Sequence, residues 1–226
     1  MAWDTRSLPV ILRTRAGQLD LPGYSDRIIK GSLSHKIYSF VKNDEEALSG
    51  AIRGFIAAYP QARYNRAYKV VYRLDQSRQG CDTILSRGSS SHDLSHVGYV
   101  GQGLLDAAVC GAIFASPSAL QVEAALKLTQ SPQGTLMIVE NYAGDKMNFT
   151  LAAERFRFAS GAPLRLVAVA DDVSINRTRC AKVGRRGLAG TVLVHKVAGS
   201  ASAAGLGLDD IAGLAEFTTE NDCGRA

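Results

Sequence analysis

Two short stretches hold the residues best able to do chemistry. One is a small-residue loop, Gly88-Ser89-Ser90-Ser91, that leads into His92 and Asp93; the other is Asn141-Tyr142-Ala143-Gly144-Asp145. A histidine on a solvent-facing loop titrates near neutrality, so His92 can take a proton from an attacking hydroxyl, with Asp145 orienting or assisting it. The loop from Gly88 to Ser91 offers backbone N–H groups and three serine hydroxyls, enough to hold a small polyhydroxylated molecule. Asp145 also has a plain structural reading, because capping and the helix dipole both favour a carboxylate where a helix begins.

Other polar groups carry weaker signals. His96 follows His92 by four residues, so on a helix the two could share a metal, but no third ligand stands at useful spacing, and packing or hydrogen bonding is the simpler role. No metal site is expected. His195 falls inside the apolar pattern of Thr191 to Val197 and reads as a satisfied core or boundary residue, while His35 carries no signal. Arg185-Arg186-Gly187 precedes a helical stretch and is either a phosphate cradle or a basic turn. The loop before His92 lacks the GK[ST] ending of a P-loop, and no GxGxxG unit stands in the right context, so no nucleotide site is expected.

These groups need a frame to bring them together. Lys69 to Arg73, Cys81 to Leu85, Thr135 to Val139 and Leu164 to Ala170 read as strands, and the continuous apolar run of the third suits a strand covered on both faces. Between them, Leu48, Ile52, Phe55 and Ile56 recur at helical spacing up to Pro60, and Ser116 or Ser118 can cap a helix from Ala119 to Thr129. Asp145 opens another helix through Phe156. Gly103 to Cys110 reads as a buried helix, Gly187 to Ala204 as a long one, and Leu208 to Ala215 as a short one. The alternation predicts one α/β domain: a layered sheet of mostly parallel strands with helices on both faces. Residues 1–34, broken by Pro9, Gly17, Pro22, Gly23 and Gly31, read as an irregular extension; residues 35–215 form the domain, and residues 216–226 a polar, frayed tail. His92 and Asp145 both follow the carboxyl end of a strand, where open α/β sheets bind ligands.

Composition excludes several classes. The 226 residues carry a formal charge of +5, of which residues 1–80 contribute about +6 and the remainder about −1. No Lys/Arg run or aromatic stripe accompanies it, so a nucleic-acid partner is not expected. Cys81, Cys110, Cys180 and Cys223 form no CxxC pair, which signals neither zinc nor a disulfide framework and fits a reducing compartment. No apolar segment reaches spanning length and the amino terminus shows no signal-peptide pattern, so a cytoplasmic protein without membrane contact is expected.

The same residues carry a family resemblance. Ser91-His92-Asp93 with His96-Val97-Gly98-Tyr99, Asp106-Ala107-Ala108-Val109-Cys110-Gly111, Phe114-Ala115-Ser116-Pro117-Ser118, Ile138-Val139-Glu140-Asn141-Tyr142-Ala143-Gly144-Asp145, Asp171-Asp172-Val173 and Gly184-Arg185-Arg186-Gly187-Leu188-Ala189-Gly190-Thr191 are similar to the substrate-binding subunit or amino-terminal domain of the dihydroxyacetone (glycerone) kinases. The likeness begins near Phe40 and runs to about Ala215. It implies that His92 is the general base, that Asp145 binds and assists, and that Gly88, Ser89, Ser90 and Ser91 wrap dihydroxyacetone or a similar triose. It implies a homodimer and a phosphoryl donor brought by a separate domain with ATP and magnesium, or by a phosphoprotein partner, with no cofactor held by this chain.

Three departures accompany the resemblance. The family loop reads Gly-Gly-Gly-Ser-Gly-His-Glu-Pro where this chain has Arg87-Gly88-Ser89-Ser90-Ser91-His92-Asp93-Leu94, so most of the glycines that permit positive φ are replaced. Glu140 stands at the family's substrate-binding lysine, a reversal of charge. The family's further domain, with a histidine that bonds the substrate carbonyl as a hemiaminal, is not matched. These departures predict a poor kinase, or none, from this chain alone; the alternative is a non-catalytic derivative that binds a small carbonyl metabolite or a partner chain as a regulator or accessory protein.

Overall fold

In the computed structural model the described residues are 44–74, 82–88, 96–112, 115–174 and 184–221, all within one compact unit, Phe40–Ala226. His92, Ser89, Ser90, Ser91, His35, Cys81, Cys180, Cys223 and the amino-terminal extension lie outside them. The elements run α1 (Asp44–Ala58), β1 (Ala62–Asn65), β2 (Val70–Arg73), β3 (Thr83–Gly88), β4 (Ala107–Cys110), α2 (Ala119–Leu128), β5 (Thr135–Glu140), α3 (Ala143–Ser160), β6 (Leu164–Val169), α4 (Thr191–Ala203) and α5 (Leu208–Asn221).

The six strands form one sheet in the order β1-β2-β4-β3-β5-β6. The four strands from β4 to β6 are mutually parallel, and β2 and β1 add an antiparallel pair at one edge. Strand periodicity divides the core in two. Leu136 and Ile138 of β5 face α1, α4 and α5, packing with Ile52, Val194, Ala198 and Ile211. Met137 and Val139 face α2 and α3, packing with Val122, Leu126, Phe149 and Phe156. All six residues of β5 are buried, as its unbroken apolar run predicts for a strand covered on both sides.

Local signals set the helix limits. Ser118, one of two candidates, caps α2: its hydroxyl accepts from the Gln121 amide while the Gln121 side chain accepts from the Ser118 amide. This reciprocal box is worth about 1 kcal/mol. Gly161, at φ 67°, ends α3 in the left-handed conformation that glycine adopts without a Cβ penalty.

Two expectations need correction. Gly103 to Cys110 is not a buried helix. Gly103 turns the chain at φ 67°, the Asp106 carboxylate accepts from the Ile84 amide, and residues 107–110 pair with both β2 and β3 as a fully buried strand. A short apolar run buried on both faces has no period of its own, so helix and strand look alike in sequence. The polar tail is also partly helical, since α5 continues past Ala215 to Asn221. There Thr218, Thr219 and Asn221 donate to the carbonyls of Leu214, Ala215 and Phe217, four residues back.

At the amino end of β3, Asp82 is buried, and its Oδ1 has no hydrogen-bond partner. Burial raises its pKa, and the charge of Asp209 raises it further. The folded protein therefore binds this proton more tightly than the unfolded chain, so the contribution to stability is full below the unfolded pKa and is lost as pH rises through the folded one. Asp82→Asn is expected to raise the melting temperature at pH 7, with the gain over wild type vanishing as the pH is lowered towards 4. Paired thermal melts across that range check it.

Candidate functional site

The parallel register of β3 and β5 makes Ser86 the partner of Ile138, so both strands finish side by side. Arg87 stands near the end of β3 and Glu140 at the end of β5, while Asp145 sits in the first turn of α3. All three residues are almost wholly buried, at 1%, 3% and 1% exposure. Arg87 Nη2 donates to Glu140 Oε2 at 3.1 Å, and Arg87 Nη1 pairs with Asp145 Oδ1. One guanidinium thus bridges two carboxylates. On the far side of Glu140, Oε1 lies 3.5 Å from Nε2 of the buried His96.

Electrostatics follow from this arrangement. Burial raises the Asp145 pKa; the charge of Arg87 and hydrogen bonds from Ser116 and Arg87 oppose that rise, while Glu140 adds to it. Burial lowers the Arg87 pKa, and the two carboxylates resist the fall. A buried charge persists only when it is paired and hydrogen-bonded, so the three groups depend on one another.

Beneath the triad lies a neutral network. Ser86 Oγ donates to the Ile138 carbonyl at 2.9 Å, so its contact with His195 Nε2, also 2.9 Å, must be one in which the hydroxyl accepts. His195 therefore carries its proton on Nε2 and a lone pair on Nδ1. Burial, with the nearby His96, pushes its pKa well below the usual histidine value, as a neutral ring requires. His96 and His195 meet edge to face at 5.2 Å. His195 as a core residue and His96 as a packing and hydrogen-bonding residue fit this geometry.

Residues 184–190 lie beside the carboxyl ends of β5 and β6. Asn141 donates to the Arg185 carbonyl, the Asp172 amide donates to the Arg186 carbonyl, and Gly187 lies flat on β5 and β6. Arg186 sits 5.5 Å from the ring centre of Tyr142, and Arg87 lies 5.4 Å from the same ring. The helix expected at Gly187 opens instead at Thr191, and Asp171 accepts from the amides of Leu188 and Gly190 just ahead of its first turn. Arg185 and Arg186 thus do not flank a free helix terminus. A Cβ on Gly187 would stand 2.7 Å from the Val169 carbonyl and 2.8 Å from Glu140 Cβ. Gly187→Ala is expected to destabilise the protein by about 1–3 kcal/mol, the usual cost of overpacking against backbone, measurable by urea unfolding.

Of the sequence candidates, the structure brings Glu140 and Asp145 together and ends β3 at Gly88. Arg87, which joins the two carboxylates, is the residue sequence reasoning missed. Its signal was a lone cation near the end of an apolar strand, with one carboxylate ending the neighbouring parallel strand β5 and another just after it. Among the described residues, no group of three or more His, Cys, Asp or Glu is arranged to hold a metal, and no helix is long and apolar enough to cross a membrane.

Comparison with known proteins places this arrangement. The Dak1 domain matches residues 53–223. Dihydroxyacetone kinase 2 of Saccharomyces cerevisiae is 42% identical over 193 residues, covering 84% of this chain and 32% of that protein. The dihydroxyacetone kinase of C. freundii superposes with a TM-score of 0.74 at 36% identity, over 81% of this chain and 34% of that one. A dihydroxyacetone kinase operon co-activator superposes with a TM-score of 0.68 at 34% identity, over 76% of this chain and 50% of that one. The chain spans about a third of the length of the curated relatives it matches. By the extent of the domain match and the shared α/β sheet, this chain belongs to the Dak1 domain family.

Proposed function

We propose that this chain is the triose-binding unit of a dihydroxyacetone kinase-type phosphotransferase, acting as a cytosolic homodimer with a phosphoryl donor supplied by a nucleotide-binding domain or partner. The observation that carries this reading is the convergence of Asp145 and Glu140 on Arg87 at the carboxyl ends of two adjacent parallel strands, the position where such sheets bind ligands. The kinase relatives support it. His92 takes the proton of a substrate hydroxyl as its oxygen attacks the donor phosphorus, and the bond from phosphorus to the donor's leaving oxygen breaks. Asp145 fixes that hydroxyl, and the loop of Gly88, Ser89, Ser90 and Ser91 encloses the rest. In this family, ATP with magnesium serves as a donor, as the relative solved with AMP-PNP and Mg2+ illustrates. Glu140 Oε2 and Asp145 Oδ1 are paired with Arg87, and among the described residues no acidic cluster suits the magnesium of a magnesium–nucleotide, so the donor is assigned to the partner.

The test supplies dihydroxyacetone, ATP, magnesium and a nucleotide-binding kinase domain in trans. Turnover is expected that falls by about 10²–10⁴-fold in His92→Ala, the weight of a general base. Without the donor domain no turnover is expected, and equal rates in wild type and His92→Ala would sink the assignment. A second reading, a metabolite-binding regulator, is favoured by the grip of Arg87 on Asp145 and by the co-activator relative. Calorimetric binding of dihydroxyacetone with no turnover in any donor combination would select it.

A further inference from the structure

We propose that Arg87 is the positioning residue of this site: held in place by Glu140, its guanidinium keeps Asp145 an anion and fixes that carboxylate beside the carboxyl ends of β3 and β5. The inference deepens the triose-binding reading and rests on it for its functional consequence. It assigns Glu140 to Arg87 rather than to the ligand.

The geometry carries the argument. An arginine side chain has two donor edges and a planar fork, so it can be oriented by one carboxylate while it charges and orients another. Glu140 takes Nη2 and Asp145 pairs with Nη1, while Nε has no hydrogen-bond partner. Glu140 cannot swing away, because His96 stands against its other oxygen and Gly187 packs on its Cα and Cβ. Among the described residues, the groups facing Asp145 are Arg87 from β3, Glu140 from β5, Tyr142 just ahead of α3 and Ser116 ahead of α2. His96 stands behind Glu140, and Arg186 behind Tyr142. Arg87 is the cation in direct contact with Asp145, whereas Glu140 and burial act to protonate it. A protonated Asp145 would donate where the proposed mechanism needs an acceptor.

The experiment follows the Asp145 carboxyl carbon by NMR in the full chain, assigned through its loss in Asp145→Asn. Arg87→Met alone leaves two buried carboxylates unpaired and is liable to unfold, so Arg87→Met is placed on Glu140→Gln and compared with Glu140→Gln alone. The Asp145 midpoint is expected to move up in the double variant and to stay near that of wild type in Arg87→Lys, which restores the charge. Dihydroxyacetone affinity at pH 7 is expected to fall about tenfold in the double variant relative to Glu140→Gln, the weight of one hydrogen bond to a charged group, and to recover as pH rises. An unmoved midpoint, or a midpoint that Arg87→Lys does not restore, overturns the inference whether or not triose binds. A moved midpoint in a wild-type protein that binds no triose supports the hold of Arg87 on Asp145 and overturns the substrate reading instead.

Discussion

Glu140→Lys is expected to destabilise the protein by about 3–5 kcal/mol, the range measured when one partner of a buried pair is removed and a charge is left uncompensated. The new ammonium would stand against Arg87 and His96 in a region where each existing residue is at most 3% exposed. Two cations would then share the single carboxylate of Asp145. Glu140→Gln removes the charge but keeps an acceptor for Arg87, so its cost should be smaller, about 1–3 kcal/mol. Urea unfolding of the two variants beside wild type tests the order, and a lysine variant as stable as the glutamine one would show that Glu140 is not fixed by its partners. The family resemblance by itself suggests that lysine belongs at this position, but Arg87 has already supplied the cation from the neighbouring strand.

Gly199→Ala is expected to cost about 3 kcal/mol, although glycine to alanine within a helix normally stabilises. A Cβ at this position in α4 would stand 2.4 Å from the Leu104 carbonyl oxygen and 2.5 Å from its Cα and amide nitrogen. These are backbone atoms of the turn between His96 and β4, so no side-chain rotation relieves the contact. Gly50 in α1 is the control, because nothing lies within 4 Å of a Cβ built there, and Gly50→Ala should add about 0.5–1 kcal/mol. Opposite shifts in the melting temperatures of the two variants are the expected outcome. A shift of the same sign in both would show that close approach of α4 to the 101–105 segment does not govern its position.

How far the sequence could be read depended on where each signal lay. β5 was legible because the continuous apolar run from Thr135 to Val139, short for a helix and preceded by Gly134, suits a strand covered on both faces. α2 was legible from its cap, since Ser118 and Gln121 stand at the spacing of a capping box. β4 has the same apolar character in four residues, too few to show a period, and its pairing partners are 22 to 39 residues away. The end of α5 was hidden by polar side chains that bond to their own backbone instead of the core. At the site, the placement of Asp145 after a parallel strand was readable, but the meeting of Arg87 with Glu140 spans 53 positions and follows from strand register alone.

β3 and β5 are interior strands, each paired on both sides, and the charged triad is anchored by Arg87 and Glu140 in them and by Asp145 in the first turn of α3 rather than in surface loops. Selection for a different ligand could not alter those strand ends without risking expression of the whole protein. Laboratory evolution should therefore accumulate its tolerated changes at Tyr142 and Arg186, whose aromatic and cationic groups meet beside Arg87 outside those strands.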